Sequence, residues 1–373
     1  MSLGVDTVKS NTITNQINLN VEIIDDKLDI NDRFNSILSI GEEVINSEEL
    51  NLLLKNKSNI IAYDGFEPSG RMHLAQGLLR AHNVNKFTDA GVKFKFWVAD
   101  WFALMNLKLG GDLKKIQNAG KLMIETWKAC GMNLDNVEFI WSSEEINKRS
   151  DEYWKIVLDI ATKFNLSRIK KCTQIMGRDE SDDLAASQIF YPVMQAADVF
   201  FLDVDICSLG MDQRKVNMLC REYSKKSKRR FAPVIVSHHM VMGLDGSDKM
   251  SKSNPDNAIF MDDSEQDVKR KIKKAYCKPG EVEGNPLLDW TKWILFPILG
   301  KVIIPGNDKW NIPEKIYDNY DDLEKDYIKE EVHPNDLKLS MVNHINQLMK
   351  PVRDHFEEND EAKNLLKLVK SYK

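Results

Sequence analysis

Between Ser58 and Val236 the chain alternates short continuous apolar runs with longer stretches in which apolar residues recur every three or four positions. The runs at 59–63, 94–99, 137–141, 199–204 and 233–236 have the length of buried strands and are bounded by turn-forming residues. The stretches between them have the period of amphipathic helices. One has both ends marked, with Asp112 as its cap, its last residues at Cys130 and a stop at Gly131. Strands and helices that alternate in this way build an α/β fold, a parallel sheet covered on both faces, whose ligands sit beyond the carboxyl ends of the strands. Tyr63, Asp100 and a turn from Asp203 to Gly210 are expected there.

On either side of this region the pattern changes. Residues 1–30 are rich in Asn, Thr, Ser and Asp and read as a flexible extension. A helical pattern follows from Asn31, with Phe34, Ile37, Leu38 and Ile40 on one side, and Ser47 opens a second helix. Beyond Met261 strand patterns cease, and helical ones occupy 265–276, 287–295, 336–349 and 361–372. The expected organisation is an extension over 1–30, an α/β domain with a helical lead-in over 31–261, and a helical domain over 262–373.

Charge and cysteine content narrow the function. Lys plus Arg is 52 and Asp plus Glu is 57, a net charge of −5, which argues against a general nucleic-acid binder and leaves room for one local basic face. The candidates are 225–230 and 269–274. Charge runs are ordinarily solvated faces, but the second lies in a helical pattern at the domain boundary, where an RNA would cross. Cys130, Cys172, Cys207, Cys220 and Cys277 have no zinc-ligand spacing and read as reduced core residues of an intracellular protein. No metal site is expected among them. No apolar run approaches the roughly 20 residues of a membrane helix, and no signal peptide is visible. Trp101, Trp127, Trp141, Trp154, Trp290 and Trp293 read as core.

Three stretches carry chemistry. The segment from Asp245 to Pro255 has no apolar period and is punctuated as a loop; it holds Lys249 and Lys252 with the hydroxyls of Ser251 and Ser253, a set suited to gripping a triphosphate during reaction and releasing it. In the second, the strand ending at Tyr63 enters a glycine-punctuated turn and then a helix opened by Ala75 and Gly77, an arrangement that aims backbone N–H groups and a positive helix end at phosphate. In the third, Tyr191, Gln195 and Asp198 are spaced i, i+4 and i+7, so they share one helix side, and Pro192 suits that helix's first turn. Three polar groups flanked by Ile189, Val193, Met194, Val199 and Phe200 are costly unless a ligand satisfies them. An isolated Asp there would otherwise be read as a local cap.

Lys249-Met250-Ser251-Lys252-Ser253 matches in full the lysine loop of class I aminoacyl-tRNA synthetases. His73 matches the start of their His-x-Gly-His box, with Ala75 and Gln76 in place of its Gly and second His. Within that class, Tyr63 to Gly70, Ile189 to Asp198 and Gly210 to Lys215 resemble the tyrosyl-tRNA synthetases of the archaeal and eukaryotic branch, over about Ser47 to His355. The resemblance implies a Rossmann-like catalytic domain followed by an all-helical anticodon-binding domain, in a cytoplasmic homodimer that uses L-tyrosine, ATP with Mg²⁺, and tRNA(Tyr). It assigns Tyr63 and Asp198 to the substrate hydroxyl, and Tyr191, Gln195 and Gln213 to its α-ammonium group. It assigns His73, Lys249 and Lys252 to the phosphates as catalytic groups, Asp212 to the ribose, and Gly65, Gln76, Gly210, Met250, Ser251 and Ser253 to the nucleotide. Arg214 and Lys215 fall to the tRNA acceptor end. His333 and Asp336 fall to the first anticodon base, although a plain helix cap explains that pair nearly as well. Two alternatives stay open from the residues: a tryptophanyl-tRNA synthetase, against which Tyr63 with Asp198 argues, and a catalytically idle relative that binds RNA or protein.

Overall fold

The computed structural model describes residues 28–177, 183–229, 232–250, 254–306 and 312–372. Most of the expected extension, Arg230, and Ser251, Lys252 and Ser253 lie outside the described residues.

The strands are β1 (Glu43–Ile45), β2 (Ile61–Phe66), β3 (Lys93–Val98), β4 (Val137–Trp141), β5 (Ile206–Gly210) and β6 (Val234–His238), in sheet order β1-β6-β5-β2-β3-β4. All neighbours are parallel except β1, which runs antiparallel to β6 at the edge. Side chains alternate across such a sheet, and the core divides accordingly. Ala62, Phe94, Phe96, Ile206, Val234 and Val236 join one apolar cluster; Tyr63, Trp97, Cys207, Leu209 and Ile235 join the other. The first also contains Leu287, Trp290, Met341, Val352 and Val369, so the C-terminal helices share the core on that side of the sheet, the last two packing on the helix Leu113–Ala129.

The run expected as a strand at 199–204 is instead the end of a helix, Ala186–Phe201, and the strand begins only at Ile206. A short apolar run fits either form, and here the helix already under way continues while Val199, Phe201 and Leu202 stay buried on it. The same helix starts earlier than expected, so Pro192 lies in its interior and not in its first turn. Strands do not cease at 261 either: β7 (Val302–Ile304) and β8 (Lys315–Tyr317) form an antiparallel pair within the helical region. Asp100 is fully buried but serves structure. It accepts from Ser142 Oγ (2.7 Å), Ser143 Oγ (2.6 Å) and Ser143 N (2.9 Å), capping the helix Ser142–Lys148. Trp154 is 41% exposed, unlike the core residue expected.

The stretch around His73 pairs with the chain that follows the lysine loop. His73 bridges Phe260, Leu74 N donates to Ile259 O (2.8 Å) and Met261 N donates to Met72 O (2.9 Å). Arg71 clamps this junction by ion pairs to Asp262 (2.9 Å) and Asp263 (2.8 Å). A Cβ on Gly77 would come within 2.5 Å of Met261 Sδ, so this glycine serves helix packing and not approach to a ligand. Gly77→Ala is expected to cost about 1–3 kcal/mol of stability through overpacking, read as a lower urea midpoint.

Candidate active site

A cleft of about 540 Å³ opens at the carboxyl ends of β2, β5 and β6. It gathers twelve of the sequence-assigned residues: Tyr63, Gly65, His73, Gln76, Tyr191, Gln195, Asp198, Gly210, Asp212, Gln213, Lys249 and Met250. Arg214, Lys215, His333 and Asp336 are not among its walls.

One end presents a buried carboxylate. Asp198 is fully buried in the helix Ala186–Phe201. Its Oδ1 accepts from Tyr153 Oη at 2.8 Å, whereas its Oδ2 has no hydrogen-bond partner. Trp97 Nε1 also faces it, short of a hydrogen bond. Burial pushes the Asp198 carboxyl well above the usual range, against the hydrogen bond from Tyr153 and the approach of Trp97. Tyr63, 1% exposed, is raised by burial first and by the Asp198 charge second, and both residues line the cleft. Gly65 leaves room for that ring, since a Cβ there would stand 2.9 Å from Tyr63 Oη.

Beside this end stands a polar group suited to an ammonium. Gln195 Nε2 donates to Gln213 Oε1 (3.1 Å), and Gln213 Nε2 donates to Ile175 O (3.2 Å). Tyr191 Oη donates to Glu67 Oε1 (2.6 Å), and Asn106 Nδ2 donates to the same carboxylate at 3.0 Å. Lys108 lies 3.5 Å from Glu67. Sequence reading missed both Glu67 and Tyr153. Glu67 lies within the matched stretch Tyr63 to Gly70, which is the one signal that points to it. Tyr153 sits on an ordinary amphipathic helix, Ser150–Lys163, and carries no local signal. Tyr153→Phe leaves Asp198 Oδ1 without its donor; if tyrosine is the substrate, as the resemblance implies, its KM is expected to rise about tenfold, read by pyrophosphate exchange.

The other end suits a nucleotide. Gly210 ends β5, and a Cβ there would meet Met240 Sδ at 2.7 Å and Asp212 Oδ1 at 2.8 Å. Asp212 lies 3.4 Å from Lys249 Nζ, at the start of the lysine loop. Met250 is buried and its N donates to Val241 O (3.1 Å), which anchors the loop's first half. His73 Nδ1 accepts from Gln76 N at 3.4 Å.

Outside the cleft the expected RNA contacts have local partners. Arg214 is paired with Glu43 (2.7 Å), Lys215 donates to Gln174 Oε1, and His333 caps the helix Pro334–Glu358 by accepting from Asn335 N at 3.1 Å. In the basic stretch at 269–274, Lys271 is buried and paired with Asp263 (2.6 Å), so it is unavailable to RNA. In the other, Arg229 lies over the Phe200 ring at 4.6 Å.

Residues 55–350 match the family profile described as tRNA synthetases class I (W and Y). The cytoplasmic tyrosine–tRNA ligase 1 of Arabidopsis thaliana is 54% identical over 346 residues, covering 92% of this chain and 90% of that protein. The tyrosyl-tRNA synthetase of Leishmania major, solved with tyrosinol, superposes with a TM-score of 0.87 at 48% identity over 93% of this chain, which spans 53% of the Leishmania chain. That of Pyrococcus horikoshii, solved with L-tyrosine, gives a TM-score of 0.84 at 33% identity and is covered in full. A mostly parallel six-stranded sheet, a match over 92% of the chain to a tyrosine–tRNA ligase and these two superpositions agree: the chain belongs to the tyrosyl-tRNA synthetases of the archaeal and eukaryotic type, within class I.

Proposed function

We propose that the cleft joins L-tyrosine to ATP, giving tyrosyl-adenylate and pyrophosphate, and then passes the tyrosyl group to the terminal ribose of tRNA(Tyr). The observation that carries this reading is the buried, unpartnered Oδ2 of Asp198 in the cleft that Tyr63 also lines. A substrate phenol donating to it satisfies an atom that nothing in the protein satisfies. Tryptophan would present an indole edge to the same carboxylate without the fit to Tyr63.

The chemistry then follows from position. A tyrosine carboxylate oxygen attacks the α-phosphorus, a P–O bond to it forms, the bond to the β-phosphate oxygen breaks, and pyrophosphate leaves in line. Tyr191, Gln195 and Gln213 hold the ammonium group, and Glu67 adds the charge that balances it. Asp212 takes the ribose hydroxyls. His73, Gln76, Lys249 and, by sequence, Lys252 meet the phosphates, with Gly65, Gly210, Met250, Ser251 and Ser253 lining the nucleotide. Mg²⁺ would be carried on the triphosphate oxygens. Residues 262–373 would read the anticodon through His333 and Asp336, and Arg214 and Lys215 would exchange their present partners for acceptor-end phosphates. The work belongs to the cytoplasm, as the Arabidopsis relative's name has it. Pyrophosphate exchange with tyrosine, tryptophan and phenylalanine tests the whole; exchange that does not depend on tyrosine would refute it.

A homodimer completes the proposal. Trp154 (41% exposed) and Leu158 (62%) lie i, i+4 on one helix, which packs on the helix that exposes Phe190 (54%). Large apolar groups shared by two adjoining helices mark an interface. Trp154→Asp with Leu158→Asp is expected to halve the mass seen by light scattering; an unchanged mass would move the interface elsewhere.

A further inference from the structure

The nucleotide end of the cleft holds a buried charge cluster that the roles above do not use. Asp64 follows Tyr63 on β2, so the strand turns it to the opposite face, where it is 2% exposed. There it is ion-paired with Arg80, the first residue of the helix Arg80–Asp89. Arg80 Nη2 lies 2.9 Å from His238 Nε2, and His238 Nδ1 lies 3.2 Å from the His239 carbonyl. Burial first and the Arg80 charge second push His238 down to about 3, so the ring is neutral: its Nδ1–H donates to the carbonyl and its Nε2 accepts from Arg80. Burial lowers Arg80 to about 10 against the charge of Asp212, which leaves it a cation at neutral pH.

Its place on the helix is informative. Gln76 stands where the family box has a second imidazole, and the turn Ala75–Leu79 between it and Arg80 is π-helical. With i→i+5 bonding, four residues make almost one turn, so Arg80 returns to the side of Gln76, and both line the cleft. The Arg80 side chain is 18% exposed and held by two partners, whereas that of Lys249 is 51% exposed at the mouth.

We propose that Arg80 is a positioning residue for ATP: it supplies from one turn further along the helix the fixed positive charge that Gln76 lacks, and it holds the carboxylate of Asp64 in place beside the nucleotide. A guanidinium already stripped of water and locked by Asp64 and His238 does not reorganise when the ligand arrives. It also offsets two carboxylates that would otherwise repel the polyphosphate. This rests on the ATP reading of the cleft.

The test is tyrosine-dependent pyrophosphate exchange by wild type, Arg80→Gln and Arg80→Lys, with tyrosine binding followed by intrinsic fluorescence. Arg80→Gln is expected to raise ATP KM by about tenfold or more and to leave tyrosine affinity unchanged. Arg80→Lys should keep ATP KM within about threefold at pH 7 and lose that advantage at higher pH, because burial lowers the amine's pKa. If Arg80→Gln does not fold, the pH dependence of Arg80→Lys decides, and an ATP KM flat from pH 7 to about 10 overturns the proposal. Equal ATP KM increases in both variants, or parallel loss of tyrosine and ATP affinity, also overturn it. Absence of exchange in the wild type would overturn the ATP reading and this proposal with it, whereas normal exchange in both variants overturns the proposal alone.

Discussion

Replacing Asp198 by alanine is expected to cost roughly 2–5 kcal/mol of tyrosine recognition, the range for removing one partner of a buried hydrogen-bonded charge. In pyrophosphate exchange this is a loss of about thirty- to several thousand-fold in kcat/KM for tyrosine. The loss for phenylalanine should be much smaller, because phenylalanine never satisfied Oδ2. Rejection of phenylalanine therefore weakens. Sites that hydrogen-bond a substrate hydroxyl reject the analogue without it by about 10⁴–10⁵, a range for which enzymes of this very family are the standing example. Stability should move the other way. Burial raises the Asp198 pKa in the folded protein, so the folded state holds that proton more tightly than the unfolded chain. The resulting penalty is absent below the unfolded carboxylate's pKa and grows as pH rises towards the folded value. Near neutral pH the wild type carries it and Asp198→Asn does not, so the variant should melt higher at pH 7, with the gap closing towards pH 3–4. Lower activity with a higher Tm separates a binding defect from unfolding. Unchanged kinetics for both amino acids would remove Asp198 from the pocket.

Asp198 also shows how much was legible in the sequence. The i, i+4, i+7 spacing with Tyr191 and Gln195 placed three polar groups on one helix side, and the structure turns them into one cleft. Spacing could not show where that helix ends, because Val199 to Phe201 would be equally buried on a strand, and the fold's continuity decided for helix. Nor could it reveal β1, three residues long and held as an edge by β6, or the pair of β7 with β8. Asp100 was placed at the right edge of the sheet, yet two serines 42 and 43 positions away claim its oxygens. Tyr153 and Arg80 show the same limit from the opposite side. Each acts through a partner distant in sequence, so neither leaves a local pattern. Local motifs report residues that meet the ligand; the groups that hold those residues are found only once the chain is folded.

Lys249→Ala is expected to lower the rate of adenylate formation by about 10²–10³ while ATP KM changes only a few-fold. Lys249 lies 3.4 Å from Asp212, with the two side chains 51% and 32% exposed. An ion pair so open to solvent contributes little to folding, so its loss should leave the protein intact. The same pair limits what the lysine gives to ground-state binding, since ATP must first draw it away from Asp212. Charge that builds on the leaving pyrophosphate offers the ammonium a stronger partner than either Asp212 or bound ATP. Its stabilisation is thus felt mainly in the transition state. The loop's first half supports this selectivity. Met250 is buried and tied to Val241, and a Cβ on Gly243 would come within 2.4 Å of Ser247 Oγ, so Lys249 projects from an anchored base. Stopped-flow measurement of adenylate formation over a range of ATP concentrations separates the two parameters. A defect confined to ATP KM, with the limiting rate preserved, would make Lys249 a binding group and leave the leaving phosphates to other residues.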